Sequence, residues 1–418
     1  MTIEPAINWE FGRAPGQIDP RAIFNRASAA RGIDRLGQLA AVPANAGRWR
    51  FNPVTGVSEG LLVESQRTNL LLRSEEFDHA AWTKTSLTVT PNAVAAPDGT
   101  TTADTLTATG AGGNVAQAVT ITAGRGIALS LYAKPAASNF LWMQVSDGTN
   151  PVQCWFNLAA GTAGTNTAGA GTCVFSQKLI EAAGNGWYRC SLEVTTSTST
   201  AFTATYGPAA ADNTAPANAD AVHTWGAQFE AESTVNCPTS YVPTTSASVT
   251  RSADNLYLPC DTRWYNPREG SLVFEVVLRP QPPVTGGQSM LLGGIGDTFT
   301  NTIYVSRSGP STITTTFLSA AGNSTPGKAY TFTGGGAGQL LRVAVAWATN
   351  DMAWTLNGAA VTTSSTAFAL AGATPRLAAG MAPWSTSSGG TVAHATFLAF
   401  RYFPRRLANA HLQSLTAP

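Results

Sequence analysis

The chain is poor in charge, in histidine and in cysteine, and each scarcity removes a class of function. Charged residues make up 12% of its 418 residues, and the formal net charge is +1. Lysine is scarce and no Lys/Arg run occurs. The electrostatic footprint of a protein that tracks nucleic-acid phosphates or anionic lipid is therefore missing. Nowhere do about 18 apolar residues run unbroken, as a membrane-spanning helix requires. The amino terminus, MTIEPAINWEFGRAPG, has neither the basic nor the apolar segment of a secretory leader. The expectation is a protein assembled in the cytoplasm, with no nucleic-acid partner and no membrane insertion.

The carriers of catalysis are equally thin. Five cysteines (Cys154, Cys173, Cys190, Cys237, Cys260) are odd in number, widely spaced and free of CxxC pairs, which suits reduced core thiols better than metal ligands. Four scattered histidines (His79, His223, His394, His411) form no HExxH pair, and no GxSxG elbow is present. Glycoside hydrolysis needs two carboxylates facing each other across a groove, one of them desolvated enough to hold its proton. Glu75, Glu76 and Asp78 instead sit in the turn-like SEEFDHAAW, and the strand SLVFEVVL carries a single Glu275. No catalytic residue, metal site or organic cofactor is expected. Oxygen donors at Asp98, Asp147, Asp212, Asn213 and Asp220 leave a structural calcium open, with plain turns as the alternative.

What is present is Ala, Thr, Ser and Gly, with short β-branched and aromatic runs broken by Gly, Asn or Pro every 8 to 12 residues or so, the rhythm of a sandwich or barrel. Residues 1–59 read as an irregular arm with many prolines, whose longest helical candidate is Pro20–Ala30. The arm lacks a periodic apolar pattern but holds Trp9, Phe11, Ile23, Phe24, Leu36, Leu39 and Trp49. It is expected to dock on a partner or a neighbouring subunit, so that deleting Met1–Gly47 leaves a folded protein. Residues 60–255 contain ALSLYAKP, FLWMQVSDG, VQCWFNL, WYRCSLEVT, AFTATYG and VHTWGAQFEA, with turns at Asp147-Gly148 and Asn185-Gly186. Residues 256–418 restart the pattern with SLVFEVVLRP, LLRVAVAWAT, MAWTLNGAAV and ATFLAFRYF, closed by a short helical cap in Arg405–Ala417. The predicted fold class is all-β: two consecutive β-sandwich (jelly-roll) domains behind an irregular arm.

The run GLLVESQRTNLLLRSEEFDHAAWTK (Gly60–Lys84), with FNPVTG before it and GNGWYRCSLEVT, WGAQFEAES and SYVPTTSASVTRSADN after it, resembles a recurrent module of tailed-phage and prophage virion proteins. There such a run opens a carbohydrate-binding-module-like jelly roll and the WGAQFE strand closes it. The carboxy-terminal unit, with GSLVFEVVLRP, MAWTLNGAAV and FRYFPRRLANAHLQSLT, resembles a concanavalin A-like or laminin-G-like sandwich. IFNRASAARGIDRLGQL is similar to the short arm that precedes these modules. Head spikes of gene transfer agents and tail fibres are both hosts of such modules. The resemblance implies a spike or fibre subunit on the virion surface, adsorbing to host cell-surface polysaccharide and joined to other virion proteins through the arm. A structural decoration or connector subunit and a capsule depolymerase are the alternatives. No heptad stalk is present, which leaves homo-oligomer stoichiometry open. Within the run, Arg67, Thr68 and Asn69 are expected to tie the first strand to the closing one, with Arg67 paired to Glu64 or Glu230.

Sugar recognition needs an aromatic plane for the pyranose C–H face and amides for its hydroxyls. In FLWMQVSDG, Leu141, Met143 and Val145 alternate with Phe140, Trp142 and Gln144. In VQCWFNL, Val152, Cys154, Phe156 and Leu158 alternate with Gln153, Trp155 and Asn157. If the two strands form a hairpin, Trp142, Gln144, Gln153, Trp155 and Asn157 share one face, while packing beneath another element is the competing reading for both indoles. Trp187, Trp225 and Trp347 read as core, and Trp384, in the loop APWSTSSGG, is a secondary ligand candidate.

Overall fold

A computed structural model describes residues 4–232, 237–279, 290–309, 312–318, 324–325, 329–331, 338–365, 368, 370, 375–385 and 392–418. The chain is all-β apart from one α-helix among these residues, Asn409–Thr416, which packs Leu412 and Thr416 inward as the predicted cap. Four large sheets form two sandwiches. In the first, a seven-stranded sheet is ordered 169–170, 173–182, 188–196, 126–135, 221–232, 103–108 and 87–94. Its partner has six strands in the order 162–166, 151–157, 140–146, 201–209, 114–120 and 83–85. All pairs are antiparallel, so one face of each sheet can be apolar and the other polar. The inner faces meet in a core that includes Leu129, Leu131, Leu141, Met143, Phe156, Leu192, Tyr206 and Phe229. Asn185 and Gly186, both at positive φ, supply the tight connection between Cys173–Ala182 and Tyr188–Thr196.

Residues 67–84 lie against this body much as the polar triplet suggested. Asn69, fully buried, donates from Nδ2 to the Ala227 and Val242 carbonyls at 3.0 and 2.9 Å, while its Oδ1 accepts from Phe229 N at 3.1 Å. The opening run is thereby fixed to the closing strand Ala221–Glu232 without a regular ladder. Arg67 departs from expectation. Its nearest carboxylate is Glu232, at 3.9 Å, while Glu230 accepts from Thr239 N at 2.9 Å and Glu64 serves a different cluster.

The second sandwich is built from both ends of the chain, which corrects the expected arm. One of its sheets runs 362–364, 351–356, 339–348, 270–278, 395–403, 58–63 and 48–51, with Ile7–Trp9 also paired to Ala395–Phe403. The other runs 23–25, 255–259, 376–379, 290–298, 301–309, 312–318 and 324–325, with Ala329–Thr331 also paired to Thr312–Leu318. Ile23–Asn25 is therefore a strand, paired with Asn255–Pro259, and not part of a helix over Pro20–Ala30. Ile7, Trp9, Phe11 and Phe24 lie in the same core as Phe274, Trp347 and Phe400. The boundary at 59/60 shifts accordingly: Ser58–Val63 belongs to the second sandwich, and the first apolar core begins at Leu71, while the strand Asn255–Pro259 starts where the second unit was expected to. Trp9, Phe11 and Phe24 thus find their partners at the far end of the chain, whereas Leu39 packs with Ala96, Tyr132 and Trp187 beside the first sandwich and Leu36 is exposed.

Candidate functional site

The predicted hairpin is present, and its register is the one a shared face requires. Trp142 stands opposite Trp155, Gln144 opposite Gln153, and Phe140 opposite Asn157. The alternate residues Leu141, Met143, Val145, Val152, Cys154 and Phe156 are fully buried in the core, which turns the first set outward. On the other side of Phe140–Ser146, the strand Ala201–Ala209 places Gly207 beside Trp142 and Thr205 beside Gln144, and Ala116 lies beyond Thr205. The outer face is thus an indole and amide ridge along a floor of small side chains.

The side chains on this ridge are not equivalent. Trp142 is half-buried, and a Cβ at position 207 would come within 2.7 Å of its Nε1, so the indole lies across Gly207 with its N–H edge turned in. That N–H has no acceptor among the described residues. Trp155 is buried, at 7% exposure, where the neighbouring edge strand Thr162–Asn166 slips register between Cys154 and Phe156. The alternation correctly turned Trp155 outward but did not foresee this bulged edge beside it. Gln153 Nε2 donates to Gln144 Oε1 at 2.8 Å, leaving the Gln144 amide nitrogen and the Gln153 amide oxygen without protein partners among the described residues. Asn157 has a different role: its Oδ1 accepts from Ala159 N and Ala160 N at 3.1 and 3.0 Å and shapes the turn that follows. Trp384 lies apart from the hairpin on the second sandwich, half-buried and edge-on to Phe299 and Tyr304, with centroids at 5.3 and 5.5 Å. Trp187 and Trp225 pack with Tyr132 and Tyr241, and Trp347 lies in the second core.

The acidic residues weighed for calcium each serve a loop. Asp147 accepts from Thr149 N at 3.0 Å, Asn150 N at 2.7 Å and the Thr172 hydroxyl, and these bonds, led by the hydroxyl, hold its carboxyl below the usual range. Asp98 accepts from Thr100 N, Asp212 from Thr165 N and Asp220 from Ala217 N. In SEEFDHAAW, Glu75 accepts from the Tyr241 hydroxyl at 2.9 Å, Glu76 pairs with Arg73 at 3.1 Å, and His79 Nδ1 accepts from Ala81 N. His223 Nδ1 lies 2.8 Å from Thr105 Oγ1, in keeping with a structural histidine.

A second cluster escaped the sequence reading because its members are scattered along the chain. Where the sandwiches meet, Arg48 pairs with Glu64 at 2.6 Å and with Asp254, which also takes Arg26 at 3.0 Å. Arg251 lies 3.5 Å from Glu64. All these side chains are essentially buried. Cys237 Sγ is 3.3 Å from His394 Nδ1, and His394 Nε2 is 3.1 Å from Glu64 Oε1, the spacing of a nucleophile, a base and an orienting carboxylate. The electrostatics oppose that use. Burial pushes the thiol up to about 12 and the imidazole down to about 4, so both are neutral at pH 7. Burial would also raise Glu64, but Arg48, Arg251 and His394 hold it well below the carboxylate range. The cluster is an ionic clamp with a thiol at its edge.

No protein-family model matches the chain, and no curated protein matches it. Among solved structures, it is similar to Trypanosoma rangeli sialidase in complex with the inhibitor DANA, at TM-score 0.29 and 14% identity over 39% of this chain and 26% of that one. It is similar to the Ruminococcus gnavus IT-sialidase CBM40 bound to α2,6 sialyllactose, at TM-score 0.26 and 16% identity over 36% and 85%. Domains LG4-5 of the mouse laminin α1 chain give TM-score 0.26 and 11% identity over 83% and 93%. The chain thus spans about a quarter of the length of the sialidase. At these TM-scores the likenesses carry no argument about its function.

Proposed function

We propose that the protein is a non-catalytic carbohydrate-binding subunit on the surface of a virion, and that its ligand lies along the outer face of the hairpin formed by Phe140–Ser146 and Pro151–Asn157. The observation that carries the reading is the register of that hairpin. A half-buried indole and a pre-paired amide couple stand on one outward face of the sheet, the indole lying across Gly207. Gln144 offers donors and Gln153 an acceptor for hydroxyls. The face carries no carboxylate pair, which supports binding without cleavage. Placement in a spike or fibre, contact with other virion proteins and adsorption to host polysaccharide rest on the resemblance of Gly60–Lys84 and the WGAQFE strand to virion modules.

Incubating the purified protein with host surface polysaccharide tests this. Retention on the polysaccharide without shortening of its chains supports the proposal. Shortened chains would make the protein a depolymerase, and no retention on any host glycan would leave a structural subunit. Antibody labelling of intact particles checks the location, and absence of label from the particle surface contradicts it.

A further inference from the structure

Where the first sandwich, the second sandwich and the hairpin Ala30–Ile33/Leu39–Val42 meet, the chain leaves a partly open cavity of about 50 Å³. Five arginines line it: Arg31, Arg48, Arg50, Arg189 and Arg279. Two carboxylates, Glu64 and Glu181, also face it, and both are already engaged. Glu64 takes Arg48 at 2.6 Å, while Glu181 takes Arg279 at 2.5 Å and Arg50 at 3.6 Å. Arg50 is further held by Glu59 at 2.5 Å.

Two cations make no direct ion pair among the described residues, although Arg189 stands opposite Glu181 on the neighbouring strand. Arg189, 8% exposed, donates from Nη2 to Ser130 Oγ at 2.9 Å, but its buried Nε has no acceptor among the described residues. Its guanidinium lies 5.5 Å from the Tyr132 ring centroid, which offsets only part of the cost of burying the charge. Arg31, half-buried, makes no ion pair among the described residues. A buried guanidinium with a free N–H normally has an anionic partner, because burial strips the charge of its hydration. A single water needs at least about 10–15 Å³ of such space. The space therefore suits a group of a few heavy atoms and not a sugar ring.

We propose that this cavity binds a small inorganic oxyanion, of phosphate or sulfate size, held by Arg189 and Arg31 at the junction of the two sandwiches. Planar guanidinium forks match tetrahedral oxyanions through paired N–H···O bonds. Bound there, the anion links Arg189 of the first sandwich to the amino-terminal hairpin and lies beside Arg279 of the second, so it reinforces the junction. The inference is independent of the carbohydrate reading.

Titration of the full chain with inorganic phosphate tests it, by calorimetry and by thermal unfolding, with sodium chloride at matched ionic strength as reference. The expected result is a saturable heat and a saturable rise in Tm with phosphate that chloride does not reproduce. Arg189→Gln should abolish both. Arg31→Gln, at a half-buried residue with no ion pair, should keep the phosphate-free Tm and weaken phosphate binding by at least about tenfold. If Arg189→Gln does not fold, the Arg31 variant decides. A phosphate response no larger than that of chloride, or unchanged phosphate affinity in Arg31→Gln, overturns the proposal.

Discussion

Replacing Arg48 with methionine tests whether the junction is held by a desolvated ionic clamp. The Arg48 side chain is fully buried and donates to Glu64 Oε2 at 2.6 Å, to Asp254 and to Ser240 Oγ. Methionine keeps the aliphatic volume, so little cavity forms and the loss is electrostatic. Glu64 would keep Arg251 at 3.5 Å, and Asp254 would keep Arg26 at 3.0 Å, but each carboxylate would lose its best-placed cation. Breaking one side of a buried pair costs about 3–5 kcal/mol. With an unfolding entropy of about 2.1 cal/mol/K per residue, a 418-residue cooperative unit carries roughly 0.9 kcal/mol/K. The expected fall in Tm is therefore about 3–6 °C by calorimetry at pH 7, with a matching loss in urea unfolding. Arg21→Met, at an Arg–Asp pair where the arginine is 47% exposed, should change stability by less than about 0.5 kcal/mol. A loss below about 1 kcal/mol for Arg48→Met would refute the desolvated clamp.

Further outcomes follow from the same geometry. Burial lowers His394 from 6.5 to about 4, so between these values the unfolded chain binds the extra proton, and stability from this group falls as pH drops, by at most about 1.4 kcal/mol per pH unit. Burial raises Asp104 from 3.8 to about 6, so its contribution runs the other way and is lost as pH rises through that window. His394→Gln should unmask the second slope: between about pH 4 and 6 its stability should fall with rising pH relative to wild type, and parallel urea-derived profiles would contradict the assignment. Deleting Met1–Gly47 removes Ile7, Trp9, Phe11 and Phe24 from the second core and Arg26 from Asp254. The variant should then unfold without a sharp cooperative transition and its second sandwich should become protease-sensitive, whereas a protease-resistant second sandwich would show that these strands are dispensable.

The sequence was most legible where the signal is local. Period-two alternation in FLWMQVSDG and VQCWFNL located both strands, their turn and the outward set, because the core residues Leu141, Met143, Cys154 and Phe156 permit only one register. The Asn185-Gly186 turn was equally readable, since both residues take positive φ. The amino-terminal strands were not readable, because Ile7 pairs with Tyr402 and Phe24 with Leu256, and three-residue strands have no periodicity of their own. Isolated arginines in a lysine-poor arm were the available clue. Arg26 and Arg48 are buried against Asp254, a residue more than 200 positions away in the chain. In the candidate site, residue type and face were legible. The burial of Trp155 was not, because it depends on a bulged neighbour, and neither was the use of Asn157 in a turn.

The measurement that bears most directly on the central claim is calorimetric titration of host surface polysaccharide into wild type and Trp142→Ala, with Tm recorded for both. Trp142 is the cleaner probe because it is half-buried on the outer face, whereas Trp155 is buried. The account predicts that wild type binds and that Trp142→Ala keeps its Tm to within a few degrees. Binding should weaken by about 1–3 kcal/mol, or roughly 5- to 150-fold in Kd. A folded Trp142→Ala protein that binds the polysaccharide as tightly as wild type would contradict it.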